Sequence, residues 1–599
     1  METPVETPVE TSVPDAKRKT SRVKGVASIK PEFRVFTSSE DSGPADPSIV
    51  DSGFEEEGRA EDSNGKKGGF KKKKGQNKNR DNSQKHETVR LCPNVINEVE
   101  CSHGDGCKYE HDKEKYLAAK VADIDGDCPV YKAIGYCPSG IRCRWLGSHA
   151  ALSKQNIEAP TAGSIEDPEE LNRITHEDAT SMSKRTIDMS EPEKAIKIME
   201  ELDKKRAAES KSDLSIEERL EYNATYFEGR LKPSEKKRLH LAGAKILSPL
   251  TTVGNLPYRR LMKQLGADVT YSEMALSMPL VQGARSEWAL PRMHVSEKGG
   301  FGVQLAANKP WQATKAAMLL AKFAPDSSEF NLNCGCPIDL IFRQGAGSAL
   351  MESPGKIMKI IKGMNAMSND IPITIKMRTG VKDGKPTALQ LINRLMEEDQ
   401  VAAITLHGRS RAQRYSREAD WDYIRDVADH IKAKREEHDL KPWIIGNGDV
   451  YSWEDWYTHL DEHHVDSCMV ARGALVKPWI FEEIDAKQYL DKSATERLEY
   501  YKQYTKFGLE HWGSDDFGVQ QTRRFLCEFL SFTRRYIPPA VLEYLPPKLN
   551  DRAELWKPRN ELEGLLASDN YKDWIKITEM FLGPAPDSFQ FEPKHKSNS

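Results

Sequence analysis

Residues 241–490 are predicted to form a (β/α)8 TIM barrel on three observations. Eight short apolar, β-branched runs recur at roughly thirty-residue intervals, from AKILSPL, ADVTYSEMA, FGVQLAA and SEFNLNC to IPITIKM, VAAITLHG, PWIIGNG and SCMVARG. Between them lie helical patterns such as LPYRRLMKQLG, KPWQATKAAMLLAKF, SPGKIMKIIKGM and TALQLINRLMEE. Polar residues gather at the carboxyl ends of the runs, where barrels keep their chemistry. A doubly wound open sheet would also alternate, but no GxGxxG turn follows the first run, as such a sheet would have when it holds a dinucleotide. The full architecture expected is α/β: two small CCCH zinc fingers, the barrel, then a C-terminal helical domain.

The chain has 599 residues, enough for two to four domains, and a formal net charge of -4 that says little about partners. Residues 1–88 are rich in Pro, Ser, Glu, Lys and Gly and carry few aliphatics, so they are expected to stay disordered. A basic block within them, Lys66-Lys67 and Lys71 to Lys74, suits a nuclear address, an RNA tether or a plain solvated tail. No basic stretch followed by an apolar run opens the chain, and no apolar span of about 18 residues occurs. The expectation is a soluble, unsecreted protein of the cytoplasm and nucleus, with no membrane contact and a monomeric state.

Six of the ten cysteines lie between Cys92 and Cys143. Cys92, Cys101, Cys107 and His111 fit C-x8-C-x5-C-x3-H in a segment 89–112, and Cys128, Cys137, Cys143 and His149 fit C-x8-C-x5-C-x5-H in a segment 125–150. Three thiolates and an imidazole close a tetrahedral zinc site with no position for water, so each zinc is expected to be structural. Tyr109, Tyr131, Tyr136 and Trp145, with Lys108, Arg142 and Arg144, suit stacking on unpaired bases beside phosphate contacts, or packing around the metal. Residues 151–240 read as a charged linker with local helices, one of them over Ile196, Met199 and Leu202.

The stretch EFNLNCGCPIDLIFRQGAGSALM, Glu329 to Met351, is the centre of the chain. Gly335 allows a sharp turn and Pro337 stops the strand, so Cys336 is held on a stiff corner at a strand's carboxyl end. Most free cysteines are buried apolar residues, and that reading competes. The glycine loops GNGD and ARGAL after the last two runs are where barrels bind a cofactor phosphate, with Arg472 as its charged partner. Residues 491–583 return to helical patterns. There Arg523-Arg524 and Arg534-Arg535 fall eleven apart and can share one helix face, which solvated surface charge would also explain, with residues 584–599 a flexible tail.

The run around Cys336, together with PLTTVGNLPYRR and HGRSRAQRYSREADW, resembles the tRNA-dihydrouridine synthases over about residues 240 to 500. The tandem fingers resemble the eukaryotic subclass whose target is uridine 47 in the variable loop. The resemblance implies FMN as cofactor, NADPH or NADH as hydride donor, and tRNA as partner, its phosphates met by the arginine face of the helical domain 491–583, with mRNA a second candidate. It places the general acid at Cys336 rather than Cys334. It implies FMN contacts at Pro249, Leu250, Thr251, Gln304, Lys376, His407, Asn447, Gly448, Asp449, Ala471 and Arg472. Two other function classes compete: an FMN-dependent reductase of a small molecule, which leaves the fingers without purpose, and a non-catalytic RNA-binding regulator.

Overall fold

The computed structural model describes residues 25–35, 89–96, 99–152, 169–208, 230–438, 442–548 and 551–594. The eight apolar runs form eight parallel strands: β1 (Ile246–Leu247), β2 (Thr270–Tyr271), β3 (Phe301–Ala306), β4 (Glu329–Cys334), β5 (Ile373–Arg378), β6 (Ala403–His407), β7 (Trp443–Asn447) and β8 (Ser467–Val470). They pair in chain order, β8 returns to β1, and a bridge between Ile246 and Val269 joins β1 to the start of β2, closing the ring. The register levels the carboxyl ends: Asn333 pairs with Lys376, Arg378 with His407, and His407 with Asn447.

Period two then divides each strand. Phe330, Leu332, Ile373, Ile375, Met377, Ile404 and Leu406 are fully or almost fully buried in the main apolar core. Their alternates, Glu329, Asn331, Asn333, Thr374, Lys376, Arg378, Thr405 and His407, fall on the opposite, inner face and carry the polar chemistry.

Helices α1 (Leu256–Gln264), α2 (Pro310–Phe323), α3 (Pro354–Met367), α4 (Ala388–Glu398), α5 (Trp421–His438) and α6 (Trp453–Glu462) follow β1, β3, β4, β5, β6 and β7. Their starts are written locally. The Asn255 side chain accepts the Tyr258 N–H, Pro310 and Pro354 open α2 and α3, and Ser452 with Asp455 forms a capping box for α6.

The stretch expected to be a linker is partly wall. Glu170–Leu171 pairs antiparallel with Met293–His294, and the helix Ser190–Ala208 lies on α2 and α3, burying Ala195 and Met199. Lys315 reaches Glu193 at 2.7 Å and Lys359 reaches Asp203 at 2.9 Å, so its charges are matched to the barrel. Beyond β8 the chain forms α7 (Arg472–Val476), α8 (Ile480–Ala486), α9 (Ala494–Trp512), α10 (Asp516–Thr533), α11 (Glu561–Ala567) and α12 (Tyr571–Leu582). Helix α9 packs on α1, where Asn255 donates to the Tyr504 hydroxyl at 3.3 Å.

Two expectations of disorder are corrected. Within the segment 1–88, residues 25–35 are ordered. Val26–Ala27 pairs with Arg552–Ala553, and Ala27 and Ile29 are buried against Val541 and Leu542. Two buried apolar residues cannot build a core alone, but they can complete a surface that already exists. The rest of that segment, with its basic block, lies outside the described residues. In the tail read as flexible from 584, Phe591 is buried against Trp574, and the Lys594 N–H donates to the Glu528 carboxylate at 3.1 Å.

Candidate active site and zinc centres

The corner carrying Cys336 is braced from three sides. The Asn333 carboxamide oxygen accepts the N–H groups of Gly335 and Cys336 at 3.1 and 2.9 Å. The Ser348 hydroxyl donates to the Cys336 carbonyl at 2.8 Å, and Arg378 Nε donates to the Gly335 carbonyl at 2.8 Å. Gly347 has φ +59, and a Cβ there would stand 3.0 Å from Cys336 Cβ, so this glycine lets its backbone close on the Cys336 corner. The Cys336 side chain stays half-buried at the mouth, and burial pushes its thiol up, partly offset by the Ile338 N–H and the charge of Arg378.

Cations dominate the rest of the mouth. Lys376 donates to Asn447 Oδ1 at 2.7 Å, and Asn447 Nδ2 holds the Met469 carbonyl at 2.7 Å. Arg409 Nη2 donates to both oxygens of Asp449, at 2.8 and 2.6 Å, while Arg472 stands 3.6 Å from Asp449 and 4.0 Å over the Tyr415 ring. Asp449 is the carboxylate that pairs with this cluster among the described residues. Burial, then Arg378, pushes Lys376 down to about 7. Burial and the charges of Arg378, Lys376, Arg409 and Arg472 hold His407 well below its ordinary range, so it is neutral. Three arginines and a partly protonated lysine against one carboxylate form a donor set short of negative charge, and it fits an anionic phosphate-bearing cofactor.

Of the residues expected at the cofactor, Gln304, Lys376, His407, Asn447, Gly448, Asp449, Ala471 and Arg472 converge here from β3 and β5 to β8. Pro249, Leu250 and Thr251 follow β1, where the Leu250 carbonyl accepts the Gly254 N–H at 2.8 Å. The Asp449 carboxylate is committed to Arg409 and to the Ala419 N–H at 2.7 Å, so it organises the arginines. A Cβ at Gly448 would meet Ala419 at 2.6 Å, and one at Gly473 would meet the Val450 carbonyl at 2.2 Å. Close protein packing therefore requires both glycines. Arg378, Arg409 and Tyr415 complete the mouth beyond the expected cofactor contacts; the sequence signal for the two arginines is their place at the carboxyl ends of IPITIKM and VAAITLHG.

Both cysteine sets come together as metal sites. In each, one sulfur or nitrogen atom per residue lies within 4.8 Å of the others. His111 Nε2 and His149 Nε2 are buried without a hydrogen-bond partner, which suits imidazoles that ligate a metal. The long spacer before His149 is absorbed by the helix Leu146–Leu152, which carries the imidazole back to the thiolates.

Against known sequences, the family described as "Dihydrouridine synthase (Dus)" matches residues 246–526, and "DUS3L CCCH zinc finger domain" matches residues 121–151. A protein of Yarrowia lipolytica named tRNA-dihydrouridine(47) synthase [NAD(P)(+)] is 51% identical over 609 residues, covering 98% of this chain and 96% of that one. Its namesake from Meyerozyma guilliermondii is 54% identical, covering 96% of each. The chain belongs to the dihydrouridine synthase family. Among solved structures, morphinone reductase in complex with tetrahydroNAD overlaps at 12% identity with a TM-score of 0.31, covering 43% of this chain and 92% of that one, too distant a likeness to bear on the site.

Within this family member the second finger departs from the phosphate reading of its arginines and agrees with the packing reading of its aromatics. Arg142 and Arg144, expected to meet RNA phosphate, pair with Asp515 at 3.0 Å and Asp516 at 2.8 Å. Trp145 is buried with Val130, Leu152, Leu509, Val519 and Leu582, and Tyr131 lies 5.3 Å from the His149 ring. The finger is thus built into the start of α10. The first finger keeps Lys108 exposed, 5.1 Å over Tyr109. Arg523 is also corrected: it is fully buried and donates to Thr578 Oγ1 and to the carbonyls of Leu582, Gly583 and Pro584, whereas Arg524, Arg534 and Arg535 remain half-exposed.

Proposed function

We propose that the chain reduces the C5–C6 double bond of uridine in tRNA, at position 47 of the variable loop, with Cys336 as general acid. The braced, half-buried thiol beside a cationic mouth is the observation that carries this. FMN, when bound, supplies the hydride for C6 that NADPH or NADH delivers to it. Lys376, His407, Asn447, Ala471 and Arg472, with the backbone at Pro249 to Thr251 and Gly448 to Asp449, would hold it. Gln304, on the inner face of β3, would stand beneath it, with its amide held by Asn331 and Asn333.

Cys336 gives its proton to C5. At an ordinary pKa of about 8.5 a thiol is already protonated at pH 7, and burial reinforces that. Lys376, when charged, stabilises negative charge that develops at the mouth, and neutral His407 offers one N–H and one acceptor. A base inside a tRNA fold cannot reach a barrel mouth, so the uridine is flipped out of its stack. The exposed first finger with its zinc and the half-exposed arginines of α10 and its C-terminal end bind the tRNA body.

The test compares folded tRNA with free uridine as substrates of the purified flavoprotein and maps dihydrouridine along the product. Reduction confined to position 47 is expected. Equal efficiency on free uridine would favour the small-molecule reductase.

Lys376 adds a pH signature. An anion in the mouth opposes the burial and the charge repulsion that hold its pKa near 7, so FMN binding raises that pKa and takes up a proton. Affinity for FMN is then expected to fall as pH rises above 7, and Lys376→Met to flatten the dependence. Calorimetry of FMN binding in buffers of different ionisation enthalpy reads the proton directly. No uptake at pH 7.5 would show that Lys376 does not sense the ligand.

A further inference from the structure

Beneath the mouth, the inner face of the barrel carries a chain of hydrogen bonds with a single direction. Gly335 and Cys336 donate their N–H groups to Asn333 Oδ1. Asn333 Nδ2 donates to Gln304 Oε1 at 2.8 Å, Gln304 Nε2 to Asn331 Oδ1 at 2.8 Å, and Asn331 Nδ2 to Thr374 Oγ1 at 2.9 Å. The Thr374 hydroxyl donates to Glu329 Oε2, and the Tyr271 hydroxyl to Glu329 Oε1 at 2.7 Å. Every side chain of the set is at most 8% exposed. Gly302 makes room for the end of the chain: a Cβ there would stand 2.5 Å from the Tyr271 ring and 3.1 Å from Glu329 Cγ.

A carboxamide has a donor end and an acceptor end, so three in series can run either way. An ionised carboxylate accepts only, and placed at the foot of the series it selects one way and polarises each link above it. We propose that Glu329 and Thr374 are positioning residues that orient the Gln304 and Asn333 amides through Asn331 and thereby lock the backbone N–H groups of Gly335 and Cys336, fixing the thiol over the mouth. Glu329 touches neither substrate nor cofactor, and acts only through its neighbours. Burial pushes its carboxyl up while the hydroxyls of Thr374 and Tyr271 pull the other way, and in the geometry each of its oxygens accepts from one hydroxyl. Were an amide reversed, Asn333 would present an NH2 group to two N–H donors, and the corner at Cys336 would lose its brace.

The inference about catalysis rests on the proposed uridine reduction, so the test has two independent readouts on the holoenzyme. Thr374→Val removes the hydroxyl at nearly constant volume, and Thr374→Ser restores it. The first readout is the rate of iodoacetamide alkylation at Cys336, followed by peptide mass spectrometry, which needs no RNA. Thr374→Val is expected to raise that rate about threefold and Thr374→Ser to return it to the starting value. The second is single-turnover oxidation of the reduced protein by tRNA, expected to slow about tenfold in Thr374→Val, with reduction by NADPH unchanged and rescue by Thr374→Ser. Glu329→Gln, whose amide can donate into the chain, is expected to behave like Thr374→Val in both.

Unchanged alkylation in Thr374→Val and Glu329→Gln would overturn the relay. So would slowing of both half-reactions without rescue by Thr374→Ser, which would mark a general loss of structure. If the wild-type protein fails to pass electrons to tRNA, the proposed function fails, while the alkylation rates still decide the relay.

Discussion

Cys336→Ala is expected to slow uridine reduction by about 10²–10⁴-fold, the usual size of a lost general acid, while the protein stays yellow and still oxidises NADPH. The split follows from the geometry. Cys336 contributes its backbone N–H to Asn333 and its carbonyl to Ser348, and an alanine keeps both. Only the thiol is lost, and Lys376 stays held by Asn447, and Arg409 and Arg472 by Asp449, none of which needs it. Single-turnover kinetics separate the halves: reduction by NADPH at the wild-type rate, then slow oxidation by tRNA. Cys336→Ser keeps a proton donor of much higher pKa and is expected to fall between. If Cys336→Ala reduced tRNA at the wild-type rate, the acid would lie elsewhere, and Cys334 would remain a poor candidate because it is fully buried on the outer face of β4.

The barrel was legible because each strand writes its burial in the local alternation of residues. In EFNLNC the apolar letters turn to the helices and the polar letters to the axis. The same alternation, read as chemistry, would have found the relay: Glu329, Asn331 and Asn333 at successive inner positions are an unusual lining for a core. What local reading misses is pairing over long separations. Arg142 and Arg144 look like phosphate contacts until Asp515 and Asp516, more than three hundred residues on, are seen beside them. Arg523 looks like part of a basic face until the carbonyls at the end of α12 are seen to take its protons. Residues 25–35 look disordered because their core belongs to Val541 and Leu542. In each case the residue type was read correctly, but the partner that decides its role lies in another element.

Loss of zinc from the second finger is expected to loosen the C-terminal helices as well as the finger. Ser514, at the turn between α9 and α10, donates its hydroxyl to Cys143 Sγ at 3.2 Å and lies 3.0 Å from Cys137 Sγ. Its N–H is held by Ser139 Oγ at 2.9 Å, and its carbonyl accepts the Arg144 N–H at 2.9 Å. The metal site and the start of α10 are therefore one piece, joined by the Arg144–Asp516 pair and by Trp145 against Leu509 and Val519. Zinc binding in such modules is worth about 10–16 kcal/mol at pH 7, as large as the whole stability of a typical domain. A Cys143→Ser protein is expected to unfold the segment around 121–152, uncover Leu509, Val519 and Leu582, and speed hydrogen exchange through the end of α9 and the first turns of α10. Cys107→Ser in the first finger, where Cys107 Sγ lies 3.9 Å from Cys92 Sγ and the Cys92 N–H donates to the Glu110 carbonyl at 2.8 Å, should leave exchange there unchanged and weaken tRNA binding instead. Equal exchange at residues 505–520 in Cys143→Ser and wild type would mean that the finger rests on the helices without supporting them. Accelerated exchange confined to Cys143→Ser would make the second zinc a structural bond of the helical domain, acting on tRNA only through the shape it maintains.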